Sequence, residues 1–265
     1  MLPGHTTRLE VVVDLPKLLV PLVTPFTDDA SSVSEVRLAR LVKHLSGQGV
    51  EGFVINSDVG EFTAMSFGER KSVVEMVARD APGATMVVNV SSLSTSASLD
   101  LTQHAKRHGA RAAILMPPYY GSLTRAEIIG HAQAIARHGG ITLIAVNGSG
   151  GAGHWESAEE IPNFLSGRSL EELGHSELAV AKTSMTYEFA VTGSVCTPLA
   201  LIFPGFAQGA APPGLGVLRS LMSEAGVTKV AKALLERLSL DMGPVRGPQK
   251  PLAPEFLGRL DRILA

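Results

Sequence analysis

The amino-acid sequence predicts an α/β protein, a (β/α)8 TIM barrel whose C-terminal part is irregular or shortened. Short apolar segments alternate with amphipathic ones, as expected for a parallel sheet covered by helices. No linker-like composition interrupts this alternation in the first 185 residues, although 265 residues would suit either one barrel or two smaller domains. After Lys182 the pattern weakens into a stretch rich in Gly, Ala and Pro over 205–216. We therefore expect one domain over residues 1–265, ending in a helical segment at about 217–265.

Six segments are predicted to be strands, because each is short and almost entirely apolar, as strands buried on both faces are. They are Leu18–Val23, Gly52–Asn56, Thr85–Val90, Ala112–Met116, Ile141–Val146 and Leu178–Lys182. A seventh candidate, Leu199–Phe203, is weaker, and no eighth strand is apparent in the sequence. In a parallel barrel the carboxyl ends of the strands share one face, which is where substrates bind.

Capping boxes mark the starts of the early helices, with a Ser or Thr three residues before a Glu. They occur at Ser32–Glu35, Ser66–Glu69 and Thr124–Glu127. Amphipathic spacing predicts the C-terminal helices. These are expected at about Val217–Glu224, Thr228–Leu238 and Glu255–Leu264.

Composition excludes several classes of protein. The chain is 45% hydrophobic and 18% charged, with a formal net charge of −2, which argues against nucleic acid or an anionic membrane as the main partner. The single cysteine, Cys196, excludes an intrachain disulfide and a cysteine-based metal cluster. No run approaches the ~20 apolar residues of a membrane span, and Met1 to Lys17 lacks the pattern of a signal peptide. We expect a cytoplasmic protein.

Lys182 is the most informative candidate for chemistry. It ends the apolar run Leu178–Ala181, where an ammonium is costly to desolvate, so such a site lowers the pKa of a lysine. A lysine pKa of roughly 7–8 gives a usable amine nucleophile for carbonyl carbons. The alternative is a lysine that extends its ammonium to solvent or pairs with a carboxylate.

Polar residues gather directly after the predicted strands. They are Ser57, Asp58, Gly60 and Glu61 after the second strand, Ser91 and Ser92 after the third, Tyr119 and Tyr120 after the fourth, and Asn147 after the fifth. Any one of them could be a loop residue with no role. Because all share one topological position with Lys182, together they predict a site at the carboxyl face of the barrel.

Several motifs occur in a recognisable order and spacing. They are Leu22-Val-Thr-Pro-Phe26, Gly60-Glu61, Glu69-Arg70, Pro118-Tyr-Tyr120, Asn147 and Ala181-Lys182, with Val245-Arg246 and Pro248 to Pro254 near the C-terminus. The chain resembles the dihydrodipicolinate synthase and N-acetylneuraminate lyase family over about residues 18–182. The resemblance implies a (β/α)8 barrel, a Schiff-base lysine at Lys182, pyruvate-dependent aldol chemistry and often tetramers.

The chain departs from that family at several site positions. The family has two threonines that bind the pyruvate carboxylate and relay a proton, where this chain has Asp58 and Val59. A catalytic tyrosine is replaced by Val146, and a proline by Ser149. Tyr120 matches the tyrosine that completes the proton relay from a neighbouring subunit, but with Val146 as its partner that relay is broken, which leaves Tyr120 to line the pocket.

Two classes of function follow. The first is a Schiff-base lyase or aldolase that acts on a small keto acid or aldehyde, with non-standard specificity and no genuine dihydrodipicolinate synthase activity. The second is a catalytically impaired relative kept for binding or assembly. The candidate catalytic residues are Lys182, Asp58 and Tyr120, and the candidate substrate-binding residues are Ser57, Val59, Val146, Asn147 and Ser149. A homodimer or homotetramer is expected in both cases.

We expect no cofactor and no metal, although two sequence patterns resemble such sites. Gly148–Gly153 fits a dinucleotide-binding pattern after a strand. Because it follows the fifth strand and not the first strand of a βαβ unit, we interpret it as a glycine-rich loop. His104 and His108 stand four residues apart on a predicted helix, and a lone helix face without a third ligand is usually solvated surface.

Overall fold

The computed structural model describes residues 15–146, 187–189, 194–196, 201–202 and 214–264. Its first part alternates strands with helices. The strands are β1 (Leu18–Pro21), β2 (Gly52–Ile55), β3 (Thr85–Asn89), β4 (Ala112–Leu115) and β5 (Thr142–Ala145), and the helices are α1 (Glu35–Gly47), α2 (Phe67–Asp80), α3 (Thr95–Arg107) and α4 (Arg125–Gly139). These five strands pair in parallel in sequence order. The predicted strand–helix alternation is therefore confirmed over this part of the chain.

Two further described strands extend the sheet on its other side. They are β6 (Tyr187–Phe189) and β7 (Ser194–Cys196), and the sheet order is β5-β4-β3-β2-β1-β7-β6. β7 lies parallel to β1, with Leu18 opposite Val195, whereas β6 pairs antiparallel with β7. The antiparallel pair departs from the regular alternation, in the part of the chain where the sequence pattern also weakens.

The core lies between the sheet and the inner faces of the helices. Every residue of β1, β2 and β4 is buried, as expected for strands covered on both faces. α1 adds a stripe of fully buried residues at Leu38, Leu41, Val42 and Leu45, which follow the helical period. At Gly52, a Cβ atom would come within 2.5 Å of the Leu19 side chain, so the close contact of β1 and β2 requires glycine there.

Three helices form the described C-terminal part, as predicted. They are α5 (Leu215–Ala225), α6 (Val227–Arg237) and α7 (Pro254–Leu264). Ion pairs join α5 to α7 through Glu224 and Arg259 at 2.7 Å, and α6 to α7 through Arg237 and Asp261 at 2.6 Å. No helix in the described ranges has the length and apolar character needed to cross a bilayer.

The structure corrects two local predictions. The capping boxes at Ser66 and Thr124 are confirmed, but the residue before α1 is Ser34, whose side chain makes no capping hydrogen bond, and Ser32 exchanges hydrogen bonds with Thr27. In the weak seventh strand candidate Leu199–Phe203, the two described residues are not in a strand: Leu201 lies in a 3-10 turn and Ile202 in a turn. Both are buried, and a short apolar run reports burial without specifying conformation. The sixth candidate, Leu178–Lys182, lies outside the described residues.

Candidate active site

The carboxyl ends of the parallel strands bring several predicted site residues to one end of the sheet. Ser57, Asp58 and Val59 follow β2, and Val146 follows β5. The Val146 amide donates to the Leu115 carbonyl at 3.2 Å, which extends the β4–β5 pairing, and the side chain packs partly buried against the core. Valine offers no group for proton transfer at this position.

A buried polar network connects the ends of β2, β3 and β4. Asn89 is its centre: Nδ2 donates to the Asn56 carbonyl at 2.8 Å, and Oδ1 accepts from the Ser91 hydroxyl at 2.6 Å. The Ser91 Oγ accepts in turn from the Met116 amide at 2.8 Å. These bonds fix the spacing of three neighbouring strand ends, because buried polar groups are costly to leave without partners. Sequence reasoning identified Ser91 but missed Asn56 and Asn89.

Arg70 projects from α2 into this network. Its guanidinium donates to the carbonyls of Ser91 at 2.9 Å and Asn89 at 2.7 Å, and it lies 5.1 Å from the centre of the Phe62 ring. Within the described ranges no carboxylate pairs with it, and desolvation lowers the pKa of Arg70 to about 10. Arg70 therefore stays protonated at neutral pH and places a buried positive charge behind the strand ends.

The loop after β2 is anchored at Glu61. This residue adopts a left-handed conformation, with φ of 57°, and its side chain is fully buried. Glu61 Oε1 lies 2.8 Å from Lys232 Nζ on α6, and the two groups form a buried ion pair. Glu61 Oε2 accepts from the Arg246 amide at 2.8 Å. The C-terminal part thus holds the loop that carries Ser57, Asp58 and Val59.

Arg246, in the C-terminal part of the chain, makes further contacts with the same region. Arg246 pairs in a two-pronged geometry with Glu69, at 2.8 and 3.0 Å, and its guanidinium lies 4.0 Å from the centre of the Phe26 ring. The Arg246 Nε also donates to the Ala30 carbonyl at 2.9 Å. The C-terminal motif found in the sequence therefore acts in this structure as a clamp on the loops after β1 and β2.

The anchored loop presents Ser57 and Asp58 differently. Ser57 is half-buried, and its buried hydroxyl lacks a hydrogen-bond partner among the described residues. Asp58 is solvent-accessible, yet enough protein surrounds it that desolvation raises the pKa of its carboxyl above the usual range. Such a carboxyl can act as an acid or a base closer to neutral pH than a free aspartate.

Of the remaining predicted site residues, the structure describes Tyr120. Tyr120 lies in the β4–α4 loop at the same end of the sheet and is 79% exposed in the single chain, while Tyr119 packs its ring edge-on against Phe62 at 6.3 Å. Lys182, Asn147 and Ser149 lie outside the described residues. The structure thus brings Ser57, Asp58, Val59 and Val146 to the strand ends but leaves Tyr120 facing solvent.

Comparison with known proteins accounts for this arrangement of motifs. The model of the dihydrodipicolinate synthetase family matches residues 14–154, which is more than half of the chain. The chain belongs to the dihydrodipicolinate synthetase family. The family resemblance predicted from the sequence motifs is therefore confirmed.

Individual relatives of the family match the first part of the chain. An uncharacterised DapA-like lyase of Pyrococcus horikoshii is 39% identical over 127 residues, 48% of this chain and 44% of the relative. An N-acetylneuraminate lyase of Salmonella paratyphi B is 34% identical over 119 residues, 44% of this chain and 40% of the relative. The matching stretch spans less than half the length of either relative.

The fold extends further than the sequence match. A putative dihydrodipicolinate synthetase from Pseudomonas aeruginosa superposes with a TM-score of 0.75 over 94% of this chain and 100% of that chain, at 21% identity. At an identity this low, the superposition shows that the two chains share a fold and nothing more. The prediction of a (β/α)8 TIM barrel is confirmed, and the strand ends described above are the mouth of that barrel.

Proposed function

We propose that the protein is a Schiff-base lyase or aldolase that acts on a small keto acid or aldehyde through Lys182. The observation that carries the proposal is the family's barrel with Asp58 directly after β2, at its mouth. Membership of the dihydrodipicolinate synthetase family supports lyase chemistry in general. The choice of Lys182 rests on its place at the end of an apolar run in the sequence.

The chemistry assigns one role to each group. The neutral Lys182 amine attacks the carbonyl carbon, forming a C–N bond, and the carbonyl oxygen leaves as water to give an iminium. A base takes the proton from the β-hydroxyl of this iminium, and the β-carbon becomes the carbonyl of a released aldehyde as the Cα–Cβ bond breaks. The electron pair of that bond moves into the iminium to form an enamine. We assign that base to Asp58, in place of the tyrosine that Val146 replaces. Reprotonation of the enamine and hydrolysis return the free amine.

A second candidate is a binding relative without catalysis, and Val146 favours it. This residue stands where the family has its proton-transferring tyrosine, and its side chain packs against the core. Borohydride reduction separates the candidates, because only an iminium is reduced to a stable amine of defined added mass. Intact-mass measurement after reduction with a panel of ketones and aldehydes gives an adduct for the enzyme and none for the binding relative.

Pyruvate is expected to be a poor ligand. Asp58 replaces a hydroxyl that would bind the keto-acid carboxylate, and each charge-assisted hydrogen bond lost costs about 1.5–3 kcal/mol. The ionised Asp58 also repels the ligand carboxylate. Borohydride trapping across a pyruvate titration should therefore saturate weakly, and turnover with aspartate semialdehyde should be negligible.

Asp58→Thr and Asp58→Asn separate these two causes. Removing the charge in either variant should raise pyruvate trapping, and the threonine variant should gain more because it restores a hydroxyl. The advantage of Asp58→Asn over wild type should shrink as the pH falls, since protonation of Asp58 removes the same charge, and the raised pKa of Asp58 moves this effect toward neutral pH. Strong pyruvate trapping by the wild-type protein would contradict the prediction.

Self-association as a dimer or tetramer is expected. The loops after β3 and β4 expose Leu93, Tyr119, Tyr120 and Leu123 in the single chain, which offers apolar surface for a second copy to cover. We propose that a second copy of the chain covers Tyr120 and that Tyr120→Ala weakens the assembly. Light scattering across a dilution series measures this, and a species of one-chain mass at every concentration would refute it.

A further inference from the structure

Three side chains able to bind a metal meet outside the sheet, where α2 packs beside α3. Glu75 lies on α2, His104 lies in the last turn of α3, and His108 caps the C-terminus of α3. Their donor atoms all lie within 4.8 Å of one another. Because α3 runs back from the carboxyl end of β3, this cluster lies at the end of the barrel opposite Asp58 and is independent of the proposed function.

The hydrogen bonds of the cluster orient its donor atoms. His108 Nδ1 lies 3.0 Å from the His104 carbonyl, which can only accept, so Nδ1 carries the proton and the lone pair of His108 is on Nε2. A metal-binding histidine is commonly held by its second nitrogen in this way. His104 Nε2 lies 2.8 Å from Glu75 Oε1, and the two imidazole rings are 4.2 Å apart.

We propose that Glu75, His104 and His108 bind a divalent transition-metal ion of the Zn²⁺ class. The ion replaces the proton that His104 and Glu75 now share, and small side-chain rotations bring the three donors to the separations of about 3.4 Å that a tetrahedral Zn²⁺ site requires. Two histidines and one carboxylate form a known Zn²⁺ ligand set. Because the Glu75 side chain is 52% exposed, water can enter as the fourth ligand.

The surroundings are compatible with a bound cation. Lys71, one turn before Glu75, pairs with Asp100 at 2.6 Å, so its charge is compensated. A bound ion would link α2 to α3, so the site is expected to stabilise the fold.

Zinc binding to the full chain tests the proposal. Isothermal titration of chelator-treated protein should show one Zn²⁺ ion per chain, and Zn²⁺ should raise the melting temperature, because an ion that binds only the folded state stabilises it. Glu75→Gln and His108→Gln should each weaken that binding at least about tenfold, since even loss of a supporting residue costs 10–100-fold. Co²⁺ should give the visible spectrum of a nitrogen- and oxygen-ligated site in the wild type and lose it in both variants.

His138→Ala is the matched control, because His138 is an exposed histidine at the end of the neighbouring helix α4. It should bind Zn²⁺ as the wild type does. The proposal is overturned if the wild type binds no stoichiometric zinc, or if Glu75→Gln and His108→Gln keep wild-type affinity while folded by circular dichroism. The second result would place the bound ion elsewhere in the chain.

Discussion

Replacing Lys182 with arginine is expected to abolish borohydride trapping of every carbonyl ligand that labels the wild type. Arginine keeps the positive charge and most of the volume, but its guanidinium stays protonated and cannot attack a carbonyl carbon. If the wild type has lyase activity, its rate should fall on the order of 10⁴-fold or more, because the covalent intermediate can no longer form. Intact mass and circular dichroism measure the adduct and the fold of the same sample.

Lys232→Arg is the matched control for this experiment. Lys232 is 5% exposed, and desolvation lowers the pKa of its amine, so it is the described lysine that most resembles a Schiff-base nucleophile. Arginine at this position keeps a positive charge opposite Glu61. We expect the adduct to survive in Lys232→Arg. If it disappears there and persists in Lys182→Arg, Lys232 is the nucleophile and the proposed role of Lys182 is wrong.

The barrel was predictable from the sequence because its signals are local. Each of β1 to β5 lies in a short, mostly apolar run of similar length. Capping boxes at Ser66 and Thr124 fix two helix starts through hydrogen bonds between residues three positions apart. The same locality explains the error at Leu201 and Ile202. Apolar composition reports that these residues are buried, but a buried turn and a buried strand have the same composition.

The anchors of the candidate site were not predictable, because they join distant parts of the chain. Glu61 meets Lys232 across 171 positions, and Arg246 meets Glu69 across 177. Contacts between residues this far apart cannot be predicted from spacing along the sequence. The proposed metal site shows the same limit: the sequence places His104 and His108 on one helix face, but only the packing of α2 against α3 brings Glu75 close as a third potential ligand.

Glu61→Gln is expected to destabilise the fold by about 3–5 kcal/mol, because removing one partner of a buried ion pair leaves the other charge uncompensated. The Glu61 side chain is fully buried and that of Lys232 is 6% exposed. Lys232 would keep its bond to the Pro244 carbonyl, at 2.8 Å, and its position 4.5 Å from the Phe26 ring centre, but neither group neutralises its charge. Total stabilities are typically only ~5–15 kcal/mol, so the loss should be plain in urea denaturation.

Lys232→Met should cost a similar amount, and the double variant Glu61→Gln/Lys232→Met should cost much less than the sum of the two. The reason is that the penalty in each single variant comes from the charge left behind, and the double variant leaves none. Arg259→Ala is the control: its pair with Glu224 is exposed to solvent, so its loss should be small beside that of Glu61→Gln. Additive costs in the double variant would mean that Glu61 and Lys232 stabilise the loop through separate contacts. In that case Glu61 would act chiefly by accepting from the Arg246 amide, and Glu61→Gln, whose amide oxygen can still accept that bond, would be nearly neutral.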